Sequence, residues 1–131
     1  MIGYITLGTN DLERATRFYD VLLAELGAKR TMTDERMIGW SRSRDEPLFS
    51  IIKPFDGEPA TVGNGVMISL NVETPENVEK VYNKALELGA TDEGHPHDRG
   101  SSMGFYGGYF RDLDGNKLVA YCLGYKRRTA R

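Results

Sequence analysis

The sequence predicts an α+β fold in which two βαβββ modules stand in tandem and form a curved mixed sheet around a central cleft. Three observations predict it. The chain repeats itself internally, each copy has one amphipathic helix directly after a strand pattern, and three short extended runs follow each helix. Because 131 residues suffice for one core but not for two independent ones, we expect the copies to build a single domain.

The internal repeat is visible at two places in each copy. Residues 5–7 (ITL) recur as 68–70 (ISL), and residues 26–28 (LGA) recur as 88–90 (LGA). The first pair is separated by 63 residues and the second by 62, so one residue has slipped along the helix between them. Two copies of one supersecondary unit are the simplest explanation.

In the first copy a helix follows Asn10 or Asp11, either of which can cap its N-terminus. Its apolar residues recur at helical spacing, namely Leu12, Ala15, Phe18, Tyr19, Leu22 and Leu26. Gly27 stands where the helix end favours a left-handed residue. Alternation of apolar and other residues predicts strands at 3–8, 28–33, 36–42 and 47–53.

The second copy has the same order of elements. Thr74 is the N-cap candidate, Pro75 takes the first helical position, and Gly89 marks the end of the helix. The helical stripe consists of Val78, Val81, Tyr82, Ala85 and Leu86. Strands are predicted at 66–72, 90–93, 104–111 and 116–123. We therefore predict a single domain over residues 1–125, which consists of module one (1–54), a linker (55–64) and module two (65–125). A basic tail follows at 126–131.

Composition excludes several classes of function. A net charge of -2 and a pI near 5.7 give no electrostatic basis for binding nucleic acid. No stretch has the roughly 18 apolar residues that a membrane span needs, and no secretory signal pattern opens the chain. We therefore expect a cytoplasmic protein with no membrane partner. The single Cys122 agrees with a reducing compartment, and its apolar surroundings predict a buried thiol.

Strand alternation assigns residues to the two faces of each sheet, because one helix covers only one face. The set expected under the helices is uniformly apolar: Ile5, Leu7, Ile68, Leu70, Leu118, Ala120 and Cys122. The opposite set mixes apolar side chains with hydroxyls: Tyr4, Thr6, Met67, Ser69, Val119 and Tyr121. Such a mixture is typical of a small-molecule pocket, so these six residues are predicted to bind ligand.

Two motifs in this doubled unit point to a known family. Residues 10–14 (NDLER) open the first helix ahead of Phe18 and Tyr19, and residues 112–118 (DLDGNKL) form the closing hairpin. The chain resembles the vicinal oxygen chelate superfamily over residues 2–123, with Leu113 where the family usually has proline. That group includes glyoxalase I, the bleomycin- and fosfomycin-resistance proteins, methylmalonyl-CoA epimerase and extradiol dioxygenases. The resemblance implies the glyoxalase/bleomycin resistance fold.

The resemblance also implies where a divalent metal would be held. The opening-strand positions fall on Tyr4 and Met67, and the closing-strand position of the second module falls on Val119. Its counterpart in the first module lies near Ser50 or Ile51, where the register is open. A hard divalent cation needs several oxygen or imidazole ligands, and these residues supply almost none. We therefore expect no metal ligands and no cofactor.

Several further side chains have both a packing and a binding interpretation. Trp40 and Tyr109 are aromatic candidates for ligand contact, and core packing is the alternative for each. Tyr106 has the opposite strand parity to Tyr109, so only one of the two can face the cleft. The glycines at 107–108 suggest a bulge or a close backbone approach by a ligand. Lys53 follows an apolar run and can bind an anion or act as a base, unless it simply extends into water.

Residues 93–100 (EGHPHDRG) are predicted to form a polar surface loop. The spacing of His95 and His97 is not that of a usual metal site. The loop can fold over the cleft as a lid, where Arg99 offers a bidentate contact to an anion. Asp112 and Asp114 look like catalytic carboxylates, but their short side chains suit hydrogen bonds to the turn backbone.

Three functional hypotheses follow. The first is a metal-free protein that binds a small amphipathic ligand in the cleft, with Lys53 and Arg99 at the rim. The second is a lyase or isomerase of glyoxalase type acting on a thiol conjugate or an α-keto compound. It would need a metal held by other residues, or Tyr4, Tyr121 or Lys53 as acid or base without a metal. The third is a non-catalytic dimerisation module. The resemblance implies a homodimer, and the linker is long enough for the modules to pair either within or across chains.

Overall fold

The computed structural model describes residues 1–124, and the predicted basic tail at 126–131 lies outside them. The chain divides into two compact units, one spanning Met1–Asn64 and the other beginning at Gly65. Within residues 1–124, each unit has one helix and one four-stranded mixed sheet. The α+β class and the doubled βαβββ order predicted from the sequence are therefore confirmed. None of the helices described is long and apolar enough to cross a membrane.

The first unit places its helix on one face of its sheet. The elements in chain order are β1 (Tyr4–Gly8), α1 (Leu12–Ala24), β2 (Lys29–Thr33), β3 (Met37–Ser41) and β4 (Leu48–Ile52). The strand order in the sheet is β1-β4-β3-β2, with β1 parallel to β4 and the other pairs antiparallel. The last strand of the module therefore lies in the middle of the sheet, beside the first.

The second unit has the same topology. Its elements are β5 (Ile68–Asn71), α2 (Pro75–Glu87), β6 (Thr91–Asp98), β7 (Tyr106–Arg111) and β8 (Lys117–Cys122). The strand order is β5-β8-β7-β6, again with one parallel pair, β5 with β8. The repeat read from the sequence is thus a repeat of structure.

The helix ends follow the predicted capping chemistry. The side chain of Asp11 caps α1, and the side chain of Thr74 caps α2 with Pro75 directly after it. Gly27 and Gly89 have φ angles of 79° and 105°, in the left-handed region that glycine occupies at low cost. The two cap candidates left open at α1 are therefore resolved in favour of Asp11.

The face of each sheet that packs against its helix is identified by ring contacts. In the first unit, Tyr19 of α1 lies with its ring centroid 4.9 Å from that of Phe49 and 5.8 Å from that of Trp40. In the second unit, the hydroxyl of Tyr106 donates to Glu79 of α2 at 2.7 Å. Tyr109 has the opposite parity on β7 and therefore lies on the other face, as the sequence predicted.

The prediction of a loop at residues 93–100 is wrong for most of that segment. Strand β6 continues through Asp98 and pairs with β7 along its length. The pairing shifts register between Asp92 and Gly94 and again between Gly94 and His97, so β6 contains extra residues that β7 does not match. Because of these bulges and Pro96, the residues of β6 do not alternate with period two, so the sequence pattern did not predict the strand.

The predicted bulge at residues 107–108 is also wrong, because β7 pairs with β8 there without interruption. A Cβ at Gly107 would lie 2.7 Å from the ring of Phe105, and one at Gly108 would lie 2.7 Å from Pro96 and 3.0 Å from Tyr82. The two glycines therefore make room for side chains of their own unit on both faces of the sheet. They do not leave space for a ligand.

The closing hairpin is organised by Asp112, which is almost completely buried. Its Oδ1 accepts from the backbone N–H groups of Asp114 and Asn116, both at 2.9 Å, and its Oδ2 accepts from Asn116 Nδ2 at 3.0 Å. The structural interpretation of this carboxylate is therefore confirmed, since it fixes the turn between β7 and β8.

One hydrogen bond between α2 and β6 should make stability depend on pH. The hydroxyl of Tyr82 donates to Asp92 at 2.7 Å, and burial together with this bond raises the pKa of Tyr82 to about 12. The same bond, with the backbone N–H of Gly94, lowers the pKa of Asp92.

Because the folded state holds the phenolic proton more tightly, this contribution is present below the ordinary tyrosine pKa of about 10 and is lost as pH rises toward 12. We expect the free energy of unfolding, measured with urea from pH 9 to 12, to fall less steeply in Tyr82→Phe than in the parent. Parallel curves would contradict the prediction.

Candidate functional site

The face of the first sheet that lies away from α1 carries the residues predicted to bind ligand there. We call it the first helix-free face, formed by Tyr4, Thr6 and Ser50. Thr6 pairs with Ser50, and Ser50 pairs with Gly39 on its other side. Tyr4 is 62% exposed and Thr6 is also exposed. An accessible aromatic ring and a hydroxyl therefore stand beside Ser50 on one surface.

The pairing of β1 with β4 settles the register that the sequence left open. Thr6 opposes Ser50 in the first unit, just as Ser69 opposes Val119 in the second. Since Thr6 and Ser69 are equivalent in the repeat, Ser50 is the counterpart of Val119. Ile51 points to the α1 side instead, where it is buried.

Ser50 has an unusual environment for a hydroxyl. The residue is 0% exposed, and its Oγ has no hydrogen-bond partner among residues 1–124. Buried hydroxyls almost always have a partner, because an unpaired one loses its hydrogen bonds to water without compensation. Sequence reasoning considered this residue only as a metal position, since a serine in an apolar strand gives no other signal.

The corresponding second helix-free face is formed by Met67, Ser69, Tyr109, Val119 and Tyr121. Ser69 and Tyr109 pair with Val119 from its two sides. Met67 and Ser69 are exposed, whereas Val119 is 0% exposed. The structure therefore brings these predicted residues to one sheet face but gives Val119 no accessible surface.

Phe105 belongs to the same face and was missed as a candidate. Its ring stacks on that of Tyr121, with the centroids 5.2 Å apart and the planes 5° from parallel. It also fills the space above Gly107, where Val119 lies nearby. The signal available in the sequence was the pair of glycines after Phe105, since missing side chains leave room for a large neighbour.

Arg99 directly follows β6 and bonds within its own unit. Its Nε donates to the carbonyl of Gly107 at 3.1 Å, and its Nη2 donates to those of Gly94 and His95 at 3.0 and 2.9 Å. Its guanidinium carbon also lies 4.8 Å from the ring centroid of Tyr109. Arg99 thus holds the bulged strand to β7, and contact with a ligand stays a prediction.

Trp40 does not lie on the first helix-free face, which corrects its inclusion among the ligand contacts. It is almost completely buried on the α1 side, against Tyr19. Its indole N–H donates to Asp20 of α1 at 2.9 Å. The alternative interpretation as core packing is the one that the structure supports.

Lys53 is also separated from that face. It follows β4 in step with Phe49 and Ile51, which are both buried on the α1 side. Its backbone continues the pairing with β3, because its N–H donates to the carbonyl of Arg36 at 2.9 Å. The structure therefore does not bring Lys53 together with Tyr4 and Thr6.

The residues present do not fit a divalent metal at the positions implied by the resemblance. The first unit offers Tyr4 and Ser50, and the second offers Met67 and Val119, so no carboxylate or imidazole is among them. Among residues 1–124 no three side chains of His, Cys, Asp or Glu lie together in a metal-binding group. His95 and His97 have ring centroids 5.4 Å apart on β6, which makes a pair only.

Comparison with known proteins agrees with this fold and its motifs. The profile of the Glyoxalase/Bleomycin resistance protein/Dioxygenase superfamily matches residues 1–120. The chain belongs to this superfamily. No curated protein matches it at a significant level.

Several solved structures share the fold. A glyoxalase/bleomycin resistance protein from Albidiferax ferrireducens T118 is 32% identical, with a TM-score of 0.84, over 93% of this chain and 98% of that one. Hypothetical protein SA1046 from S. aureus is 30% identical, with a TM-score of 0.69, over 93% and 92%. Lactoylglutathione lyase from Agrobacterium tumefaciens is 18% identical, with a TM-score of 0.67, over 93% and 92%, which is a likeness of fold.

Proposed function

We propose that the protein binds a small amphipathic molecule, without a metal ion, on its helix-free faces. The observation that carries the proposal is the buried, unpartnered hydroxyl of Ser50 on the same sheet face as the exposed Tyr4. Ser50 has no accessible surface, so a ligand with one polar group and an apolar body would cover Tyr4 and would displace the side chains above Ser50 to satisfy its hydroxyl.

The absence of suitable metal ligands supports binding over glyoxalase-type catalysis. Neither helix-free face presents a carboxylate or an imidazole at the positions implied by the resemblance, where Tyr4, Ser50, Met67 and Val119 stand. The lyase or isomerase alternative would require acid or base chemistry by Tyr4 or Tyr121. A homodimer and a cytoplasmic location remain predictions that accompany the proposal.

The test is a thermal-shift screen followed by calorimetric titration of the compounds that bind. Suitable probes are glycopeptide antibiotics, thiol conjugates and acyl compounds. We expect at least one class to raise Tm, and we expect Tyr4→Ala to remove that shift. Val21→Ala, at an exposed apolar position on the outside of α1, is the matched control and should bind as the parent does. Stoichiometric metal after chelator-free purification, with metal-dependent glyoxalase turnover, would overturn the proposal.

Ser50→Ala gives a sharper result because stability and affinity should change in opposite directions. Removing an unsatisfied buried hydroxyl should raise the free energy of unfolding of the ligand-free protein by about 1 kcal/mol, measured with urea. The same change should weaken binding of any compound found in the screen.

Thr9→Val is the matched control for this substitution. Thr9 is also buried, but its Oγ1 accepts from the N–H of Asp11 at 3.0 Å. Removing the Thr9 hydroxyl should therefore lower the free energy of unfolding by about 1 kcal/mol. If Ser50→Ala destabilises the protein as Thr9→Val does, the hydroxyl has a partner and the argument from Ser50 fails.

A further inference from the structure

A hollow lies entirely within the first unit, where β1 and β4 end and the linker begins. We call it the linker pocket. It is open to solvent, its volume is about 470 Å³, and most of its lining residues are exposed. The side chains that matter for its chemistry are Asn10, Arg36, Lys53, Phe55 and Glu58. None of them belongs to a helix-free face.

The walls of the linker pocket are held in place by hydrogen bonds. Asn10 pairs with the backbone of Ala60 as a neighbouring strand would, because its Oδ1 accepts from the N–H at 2.7 Å and its Nδ2 donates to the carbonyl at 3.2 Å. A turn across the linker closes with the N–H of Gly57 donating to the carbonyl of Pro54 at 3.1 Å. The pocket is therefore formed before any ligand arrives, which lowers the entropic penalty of binding.

The charge in the linker pocket favours an anion. Arg36 and Lys53 contribute two positive groups, and neither makes an ion pair with a carboxylate among residues 1–124. Glu58 contributes one negative group, so the lining itself carries one net positive charge, and the carboxylate of Asp34, just outside the lining, partly offsets the charge of Arg36. Asp34 accepts from the backbone N–H of Arg36 at 2.8 Å, which fixes the turn from which Arg36 extends.

The position of Arg36 is set from two further directions. Its Nε donates to the carbonyl of Lys53 at 3.1 Å, and its guanidinium carbon lies 5.3 Å from the ring centroid of Phe55. Phe55 itself is 88% exposed. A phenyl ring held at the mouth of a cationic hollow offers a flat apolar surface on which another ring can stack.

We propose that the linker pocket binds a planar aromatic molecule that carries one carboxylate. The carboxylate would pair with Lys53 and the free nitrogens of Arg36, and the ring would stack on Phe55. Glu58 disfavours a second negative charge on the ligand. This site is independent of the proposed function, since its residues and its place in the sheet differ.

The experiment titrates the full chain with 1-naphthoate by calorimetry and compares two related probes. Cyclohexanecarboxylate keeps the charge but has no aromatic ring, and 1-naphthylmethylamine keeps the ring but is cationic. We expect 1-naphthoate to bind at least about tenfold more tightly than either, the scale of one lost charged or stacking contact.

Substitutions in the linker pocket locate the binding. Lys53→Met and Phe55→Leu should each weaken 1-naphthoate binding about tenfold, whereas Glu58→Gln should strengthen it several-fold. Lys80→Met, at an exposed lysine on α2, is the matched control and should change nothing. All positions substituted in the pocket are exposed, so folding should be retained and circular dichroism would verify it.

Three results would overturn the proposal. The first is no binding of 1-naphthoate at millimolar concentration, and the second is equal binding of the cationic probe. The third is binding that Lys53→Met and Phe55→Leu leave unchanged. Tyr4→Ala separates this site from the proposed function, because it should leave 1-naphthoate binding intact while removing ligands of the first helix-free face.

Discussion

Replacing Val119 with glutamate is expected to lower the free energy of unfolding by about 4 kcal/mol at neutral pH, without creating a metal site. Val119 is completely buried, and the ring of Phe105 and the backbone of Gly107 lie close to it. A carboxylate there would lose its water without gaining a partner. Urea unfolding with and without added Ni²⁺ or Zn²⁺ measures both expectations.

Val119→Gln is the control that separates charge from size. The glutamine side chain has nearly the same volume as glutamate and is polar but neutral, so Val119→Gln should destabilise the protein less than Val119→Glu does. The difference should shrink at low pH, because the buried carboxyl binds a proton and loses its charge. Tight stoichiometric metal in Val119→Glu alone would show that Tyr4, Ser50 and Met67 are not the positions that accompany it in metal-binding relatives.

Asp112→Ala should lower the free energy of unfolding by about 3 kcal/mol, since it leaves two backbone N–H groups and one side-chain amide of the hairpin without their acceptor. Urea unfolding measures the loss. Hydrogen exchange at the amides of Asp114 and Asn116 should accelerate, which localises the effect to the turn.

Asp112→Asn separates the structural role from catalysis. It keeps one acceptor oxygen for the two backbone N–H groups and should lose about half as much stability. Ligands of the helix-free faces should bind to this variant as they do to the parent, because Asp112 points into its own turn. Loss of ligand binding without loss of stability would restore the catalytic interpretation of this carboxylate.

The helices and the repeat could be predicted because their signals are local. Asp11 and Thr74 cap as short polar residues do, and Gly27 and Gly89 end the helices in the backbone conformation that glycine favours. The closing turn could also be predicted, because the side chain of Asp112 accepts from backbone N–H groups only two and four residues further along the chain. Each of these features involves residues within about five positions of one another in the chain.

The remaining features depend on partners that are distant in sequence. Ser50 or Ile51 could each have been the counterpart of Val119, because only the pairing with Thr6 fixes the register of β4. Strand β6 was hidden by Gly94 and Pro96, whose bulges are stabilised by Arg99. The face on which Trp40 lies could have been predicted from the sequence. Trp40 comes two residues after Ile38 on the same strand, so both side chains lie on the same, buried face.

The linker pocket could not be predicted from the sequence for a different reason. Phe55 and Arg36 are unremarkable residues in a loop and a turn, and 19 positions separate them in the chain. Their meeting depends on the backbone pairing between Lys53 and Arg36. Anion binding by Lys53 stays a prediction, and its location relative to Tyr4 and Thr6 required the sheet.

The burial of Trp40 makes the first unit optically distinct. It is the one tryptophan in the sequence, and it lies in the core of that unit beside Tyr19, close enough for efficient excitation transfer from the phenol. Fluorescence excited at the red edge of the indole band therefore follows the melting of one half of the chain, whereas circular dichroism follows both halves. Coincident transitions would show that the two copies of the repeat melt as one cooperative body.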